Sequence, residues 1–326
     1  MQKLEIFLIN LFMVGEECSD SVNGRSVLDT TFIKCGGYTF EFKQHDIRLK
    51  QTDYYNQSIN TTTVTVKNVA EHEVDHILEI VDDICQLLSF AQQSYVIRRG
   101  YQIADKQHCI NCAGFYISSR SNIIEDKGKS IRNFIEQVYP TFIKIKNTRQ
   151  LSVVISYLCE ANRSSLVQEI SLISHYVAIE NLKHTFAITN GFEKKMQDTN
   201  YSHPQYPDLF SQPANYQHYK KIPRKNEEPI YRHKIFGKCG STEMTKKMFE
   251  DIGINRNEIK DILKKRNKII HEGILFTIGH EDYSQHAYED LKDVNDLMRQ
   301  YLLILLNYKG AYYRSRDRFG CSVCLI

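Results

Sequence analysis

The spacing of apolar residues changes near residue 70, and that change limits the fold more than any other feature of the chain. Apolar residues at every second position face one side of a strand; at steps of three and four they line one side of a helix. LEIFLINLFMV at 4–14 predicts a first core strand. A polar turn, EECSDSVNG, follows it. TTFIKCGGYTFEFKQ alternates across Gly36-Gly37, the pattern of a hairpin with a glycine turn. NTTTVTVKNV at 60–69 alternates and is rich in β-branched residues. From Glu71 to Phe90 the period becomes helical, with Val74, Ile77, Leu78, Val81, Ile84, Cys85 and Leu88 in one stripe and acids opposite. Tyr95 to Ala104 and Cys109 to Ser118 then read as two more strands. Residues 1–125 are therefore expected to form a β-rich domain with one covering helix. This stretch holds no metal triad, glycine-rich phosphate loop or paired carboxylates, so recognition or packing is its expected role, with sensing or regulation as a candidate.

DKGKS at 126–130 marks a boundary, and beyond it the chain turns helical. Connecting helices are expected over 126–160: Ile131 to Tyr139, stopped by Pro140, then one marked by Leu151, Val154, Ile155 and Leu158. Leu166, Ile170, Ile173 and Val177 mark a third helix, which reaches about Thr189 before Gly191. A last long helix is expected from Ser284 to Tyr308, followed by a basic, fraying tail, YYRSRDRFG. The whole reads as α+β: a β-rich N-terminal domain, then an all-helical bundle over 161–315. An insertion at 192–240 interrupts the bundle and carries five of the six prolines, so a regular helix cannot cross it. Its length predicts a functional or a mobile loop. Lys220 to Lys238 holds seven Lys/Arg against two Glu. Lys220, Lys221, Arg224 and Lys225 are candidate phosphate contacts, against the plainer reading of a solvated face.

Composition narrows the class. A chain of 326 residues, 42% hydrophobic and 25% charged, can bury a core without staples. A net charge of +3 leaves a nucleic-acid partner open. Nine cysteines, odd in number and scattered, fit a reducing compartment. Cys109–Cys112 and Cys321–Cys324 together have the ligand count of a zinc site, but a strand-like setting and a terminal position favour ordinary thiols, and no cofactor is expected. The apolar run at 4–14 is too short to span a membrane and lacks the flanks of a signal peptide. The C-terminal VCLI is not a prenylation box, so a cytoplasmic protein with no membrane partner is expected.

The chemistry concentrates in NRNEIKDILKKRNKIIHEG, residues 255–273. Asn255 can cap a helix with Glu258 three residues on, and Gly273 suits its end. Ile259, Ile262, Leu263 and Ile270 share a face, and Arg266 falls in the middle of it. A cation in an apolar stripe needs a carboxylate, a snorkelling stem or an anionic ligand. A structural salt bridge to Glu180 is one answer for Arg266, and a favourable place at the helix C-terminus is the plain answer for His271. Arg266 and His271 stand about 140° apart around one ideal helix, so they meet one atom only if the arginine bends or a second subunit closes the site.

Arg266-Asn267-Lys268-Ile269-Ile270-His271 matches the R-x(4–6)-H signature of the HEPN superfamily, with a polar residue directly after the arginine. ISLISHYVAIENL at 170–182, DILKKRNKIIHEG and the helix after residue 284 resemble the helices of its ApeA-like branch, and SFAQQSYV at 89–96 resembles its N-terminal region. The resemblance covers 160–312 and, more loosely, 1–130. It implies a helical bundle that forms a homodimer, with the two motifs meeting in a cleft. It also implies a metal-independent endoribonuclease of an antiphage, abortive-infection or toxin system, answering a protein or phage-derived trigger. Carried over, Arg266, Asn267 and His271 are the catalytic positions; apart from the resemblance, the flanking Lys264, Lys265 and Lys268 are candidate RNA contacts, and Glu180 is a candidate to order the arginine. The chemistry is coherent. A 2′-hydroxyl is an internal nucleophile, a histidine titrates near neutrality, and a guanidinium clamps a phosphorane. The alternative is a non-catalytic module of the same fold that binds RNA, nucleotide or protein.

Overall fold

The computed structural model describes residues 2–22, 25–45, 60–110, 121–163, 166–196, 229–255, 259–260, 262–266, 283–314 and 323–326. They form a β-rich N-terminal sheet followed by a largely helical region, a general α+β architecture. The chain divides into two compact units. Residues 1–182 with 257–326 make the first, and residues 183–256 the second.

In the first unit, β1 (Gln2–Ile9), β2 (Glu17–Val22), β3 (Arg25–Cys35), β4 (Tyr38–Gln44), β5 (Thr62–Val69), β6 (Ile97–Ile103) and β7 (Lys106–Cys109) make an antiparallel sheet. Its order is β2-β3-β4-β5-β1-β6-β7. The alternation works as its period requires: Leu4, Ile6, Leu8, Ile33, Phe40, Phe42, Val64 and Val66 are buried on one face. The β3–β4 hairpin turns at Gly36 (φ 57°) and Gly37 (φ 84°), left-handed values that suit glycine at both positions. A Cβ on Gly36 would lie 2.6 Å from Ile80 Cδ1, so the turn also admits a helix at close range. β2 is a correction to the polar turn expected at EECSDSVNG: Glu17–Val22 pairs with β3, and backbone pairing overrides the polar composition.

Four α-helices among the described residues lie wholly or partly in this unit ahead of the site. In α1 (Val74–Gln92) all seven stripe residues are buried, and so are Ile80 and Leu87 outside the stripe. The helix is therefore covered on more than one side, and it packs against β6, α2 (Gly128–Ile145) and α3 (Leu151–Ala161). Even Asp83 is buried there, paired with Lys146 at 2.6 Å. α2 corrects a second expectation, because it does not stop at Pro140 but runs through it. Pro140 is exposed, while Phe134, Ile135, Val138 and Phe142 are buried on both sides of it; burial against β3 and α1 holds the helix across the missing hydrogen bond. In α3, Leu151, Val154, Ile155 and Leu158 are buried as their spacing predicts.

α4 (Gln168–Thr189) lies where expected, but its inward face is rotated. Ile170 and Ile173 are exposed, and Leu172, His175, Tyr176, Ile179 and Leu182 are buried. A reading of apolar spacing misses this because two of the inward residues are polar. The last long helix, here α6, spans Tyr283–Leu305 and buries Val294, Leu297, Met298, Tyr301 and Leu302. The tail is also corrected at its start: β11 (Ala311–Tyr313) pairs with β12 (Val323–Leu325), and Tyr312 is buried instead of fraying. No helix among the described residues is long and apolar enough to cross a membrane.

The second unit takes in the end of α4, β8 (Glu193–Met196), β9 (Pro229–His233), β10 (Gly237–Gly240) and α5 (Ser241–Asp251). The flanks of the proline-rich insertion are therefore a three-stranded sheet, ordered β10-β9-β8, where a loop was expected. α5 was not legible in the pattern. It buries only Met244, Met248 and Phe249 among large apolar residues, too few to stand out from its polar surroundings.

Candidate functional site

Residues 259–260 and 262–266 are helical, and Ile259 and Leu263 are buried, as the stripe predicts. Successive residues of a helix are rotated by about 100°, so the cations that end this segment point in different directions. Lys264 is exposed. Lys265 pairs with Asp290 of α6. Arg266 turns toward α4, where Nη2 donates to Glu180 Oε1 at 2.5 Å. Neighbouring cations thus tie the segment to two helices.

The environment of the two pairs differs. The Arg266 side chain is 12% exposed and that of Glu180 30%. Lys265 is 46% exposed against 8% for Asp290, so its pair is wet on the lysine side. Tyr176 stands one turn before Glu180 on α4, and its hydroxyl donates to the Ile262 carbonyl at 3.5 Å, a long and weak bond. Burial pushes the Tyr176 phenol well above its ordinary range, the Asp290 carboxylate adds to this and the Arg266 guanidinium opposes it. The phenol therefore stays protonated and remains a donor.

A second polar cluster involves the same two helices and reaches beyond them. His175 is fully buried; its Nδ1 meets the Ser171 carbonyl at 2.9 Å. Burial pushes its pKa down to about 4, and the nearby Arg299 guanidinium acts in the same direction. Arg299, also fully buried, donates to Gln93 Oε1, to Ser121 Oγ at 2.5 Å and to the Tyr313 carbonyl at 3.1 Å. Gln93 in turn donates to Asn295 at 2.7 Å. Gln93 sits at the left-handed C-cap of α1, so the cluster joins α1, α4, α6 and β11.

Of the residues expected to act, Arg266, Lys264, Lys265 and Glu180 are placed as above, and the structure brings Arg266 and Glu180 together. Asn267, Lys268 and His271 lie outside the described residues, as do Lys220, Lys221, Arg224 and Lys225. Of the two cysteine pairs, Cys112 and Cys321 lie outside them too. Among the described residues no group of three His, Cys, Asp or Glu is placed to hold a metal ion. Sequence reasoning missed Asp290 and Tyr176. The signal for Asp290 was there: it stands four residues before Val294, in line with the buried face of α6. Tyr176 was hidden by the rotated face of α4. No protein-family model, curated protein or solved structure matches the chain.

Proposed function

We propose that the chain is a metal-independent endoribonuclease of the HEPN kind, with Arg266, Asn267 and His271 as its catalytic residues. The observation that carries this reading is the seat of Arg266. Glu180 holds the guanidinium from one side while Lys264 stays exposed on the same short segment. A guanidinium fork matches the geometry of a phosphate, and a carboxylate that orients the fork would position it for one. Arg266 would stabilise charge growing on the phosphorane, and Asn267 would orient the phosphate or the imidazole. His271 would take the 2′-proton or protonate the leaving 5′-oxygen. The products would be a 2′,3′-cyclic phosphate and a 5′-hydroxyl.

The reading requires two copies, because Arg266 and His271 would stand about 140° apart around one ideal helix. An apolar strip at the start of α4 suits that requirement: Val167, just before the helix, and Ile170 and Ile173 within it are 62%, 45% and 38% exposed and recur at three-residue steps. In this reading the strip is buried between two subunits. The β-rich sheet would hold the nuclease quiet or receive a protein or phage-derived trigger, in keeping with a defence effector or toxin.

A second reading also has an observation in its favour. Arg266 is only 12% exposed and already paired, which suits a non-catalytic module that binds RNA, nucleotide or protein. Cleavage assays in EDTA on single-stranded and structured RNA separate the two. Arg266→Ala and His271→Ala are each expected to lower the rate by about a hundredfold or more, with folding and dimerisation intact. Equal cleavage by wild type and both variants overturns the nuclease; binding without cleavage by the wild type favours the module.

A further inference from the structure

The β9–β10 hairpin of the second unit ends in two large apolar side chains that the described residues leave exposed. Ile235 is 82% exposed and Phe236 70%. The tip is nevertheless held in shape. His233 Nδ1 accepts from the backbone N–H groups of Ile235 at 3.0 Å and Phe236 at 3.1 Å. An imidazole that receives two backbone donors fixes the turn much as an aspartate does in an Asx-turn. The base of the hairpin is anchored as well: Tyr231 is buried, and Lys183 lies over its ring at 5.8 Å while donating to Ser241 Oγ at 2.5 Å.

The same imidazole organises three rings. Phe192 and His233 have centroids 4.9 Å apart, and His233 and Phe236 have centroids 4.6 Å apart with planes 31° from parallel. Phe236 therefore ends this succession of rings and is largely exposed. Its flanks are cationic. From Pro229 to Gly240 the chain carries Arg232, Lys234 and Lys238 and no acid. Lys234 and Lys238 are exposed on either side of the tip.

We infer that this hairpin is a contact site for single-stranded RNA, with Phe236 stacking on a base and Lys234 and Lys238 meeting the flanking phosphates. Every base has a π-face, so a stacking platform between cations binds strands with little sequence preference. An anionic bilayer would also meet lysines around an apolar tip. The ring succession favours the base, because burial in lipid needs no imidazole packed behind the phenylalanine to fix its ring. The inference takes its RNA from the function proposed above, but it rests on other residues and its test reads binding alone.

The probe is a fluorescent 2′-O-methyl oligouridine of about 12 nucleotides, a length within the site sizes of such platforms. The full chain cannot cleave it through a 2′-hydroxyl, so its binding is read whether or not the nuclease assignment holds. Phe236→Ala is expected to weaken binding about tenfold, and Phe236→Trp to preserve it. Lys234→Gln with Lys238→Gln should reduce the slope of log affinity against log salt by about 1.4. Ile235→Ser should leave affinity unchanged. These side chains are exposed, so the variants should keep the wild-type circular dichroism. Wild-type affinity in Phe236→Ala overturns the site. So does an RNA affinity untouched by any of these changes when phosphatidylserine vesicles bind the wild type and lose both Ile235→Ser and Phe236→Ala.

Discussion

Arg266 and Arg299 belong to the same compact unit and meet burial in different ways. Arg266 keeps 12% of its side chain exposed and pairs with a carboxylate from α4. Arg299 is wholly buried and donates to an amide, a hydroxyl and a backbone carbonyl from three different parts of the chain. The first arrangement keeps a paired cation at the edge of solvent. The second uses the fork geometry of guanidinium to join elements that apolar side chains alone would leave with unmet polar groups. Burial alone therefore does not separate a site arginine from an architectural one. What the donors face, and whether solvent can enter, does.

Three experiments press on that contrast. The largest effect is expected at Arg299→Met, which removes the guanidinium donor from buried Gln93 and half-buried Ser121. Stability should fall by about 3 kcal/mol or more, seen as a lower urea midpoint at unchanged slope. If Arg299→Met unfolds at the wild-type midpoint, the cluster is not architectural.

The next effect is one of pH. His175 takes up a proton near 6.5 in the unfolded chain but only near 4 in the fold, where burial keeps it neutral. Acid therefore favours unfolding. The contribution is intact above pH 6.5 and declines as pH falls toward 4, by up to about 3 kcal/mol over that range. Urea midpoints measured from pH 7 down to pH 4.5 should fall, and His175→Gln should flatten the part due to this group. The groups facing the imidazole are the Ser171 carbonyl, Asn295 and Arg299, so the same charge that braces the cluster resists its protonation.

The smallest change in stability is expected at the proposed site. A double-mutant cycle on Arg266→Met and Glu180→Leu should give a coupling of about 1 kcal/mol, since Glu180 is close to one-third exposed and solvent screens the pair. Glu180→Gln should lower cleavage of RNA more than this coupling alone predicts, because it loosens a positioned cation. A coupling above about 3 kcal/mol with no effect on cleavage would move Arg266 into the same class as Arg299.

Much of the framework was legible without coordinates because it rests on local periodicity. The β3–β4 hairpin, the buried stripe of α1 and the core positions of α3 follow from spacing alone. The Arg266–Glu180 pair was legible for another reason: a cation in an apolar stripe demands a partner, and few acids occupy a helix that can supply one. The errors share a cause. β2 has a polar composition, Pro140 denies a hydrogen bond, and His175 and Tyr176 break the apolar pattern of α4. In each case long-range contacts outweigh the local signal.

The amino-acid sequence by itself determined the division into a strand-forming and a helix-forming half, and the need of Arg266 for a counter-charge. Period and charge act over a few residues and are fully present in the unfolded chain. Tertiary structure alone decided which face of α4 turns inward, that Asp290 receives Lys265, and that His233 holds an apolar hairpin tip outward. Those outcomes depend on which distant groups arrive within hydrogen-bonding reach, and no local pattern carries that information.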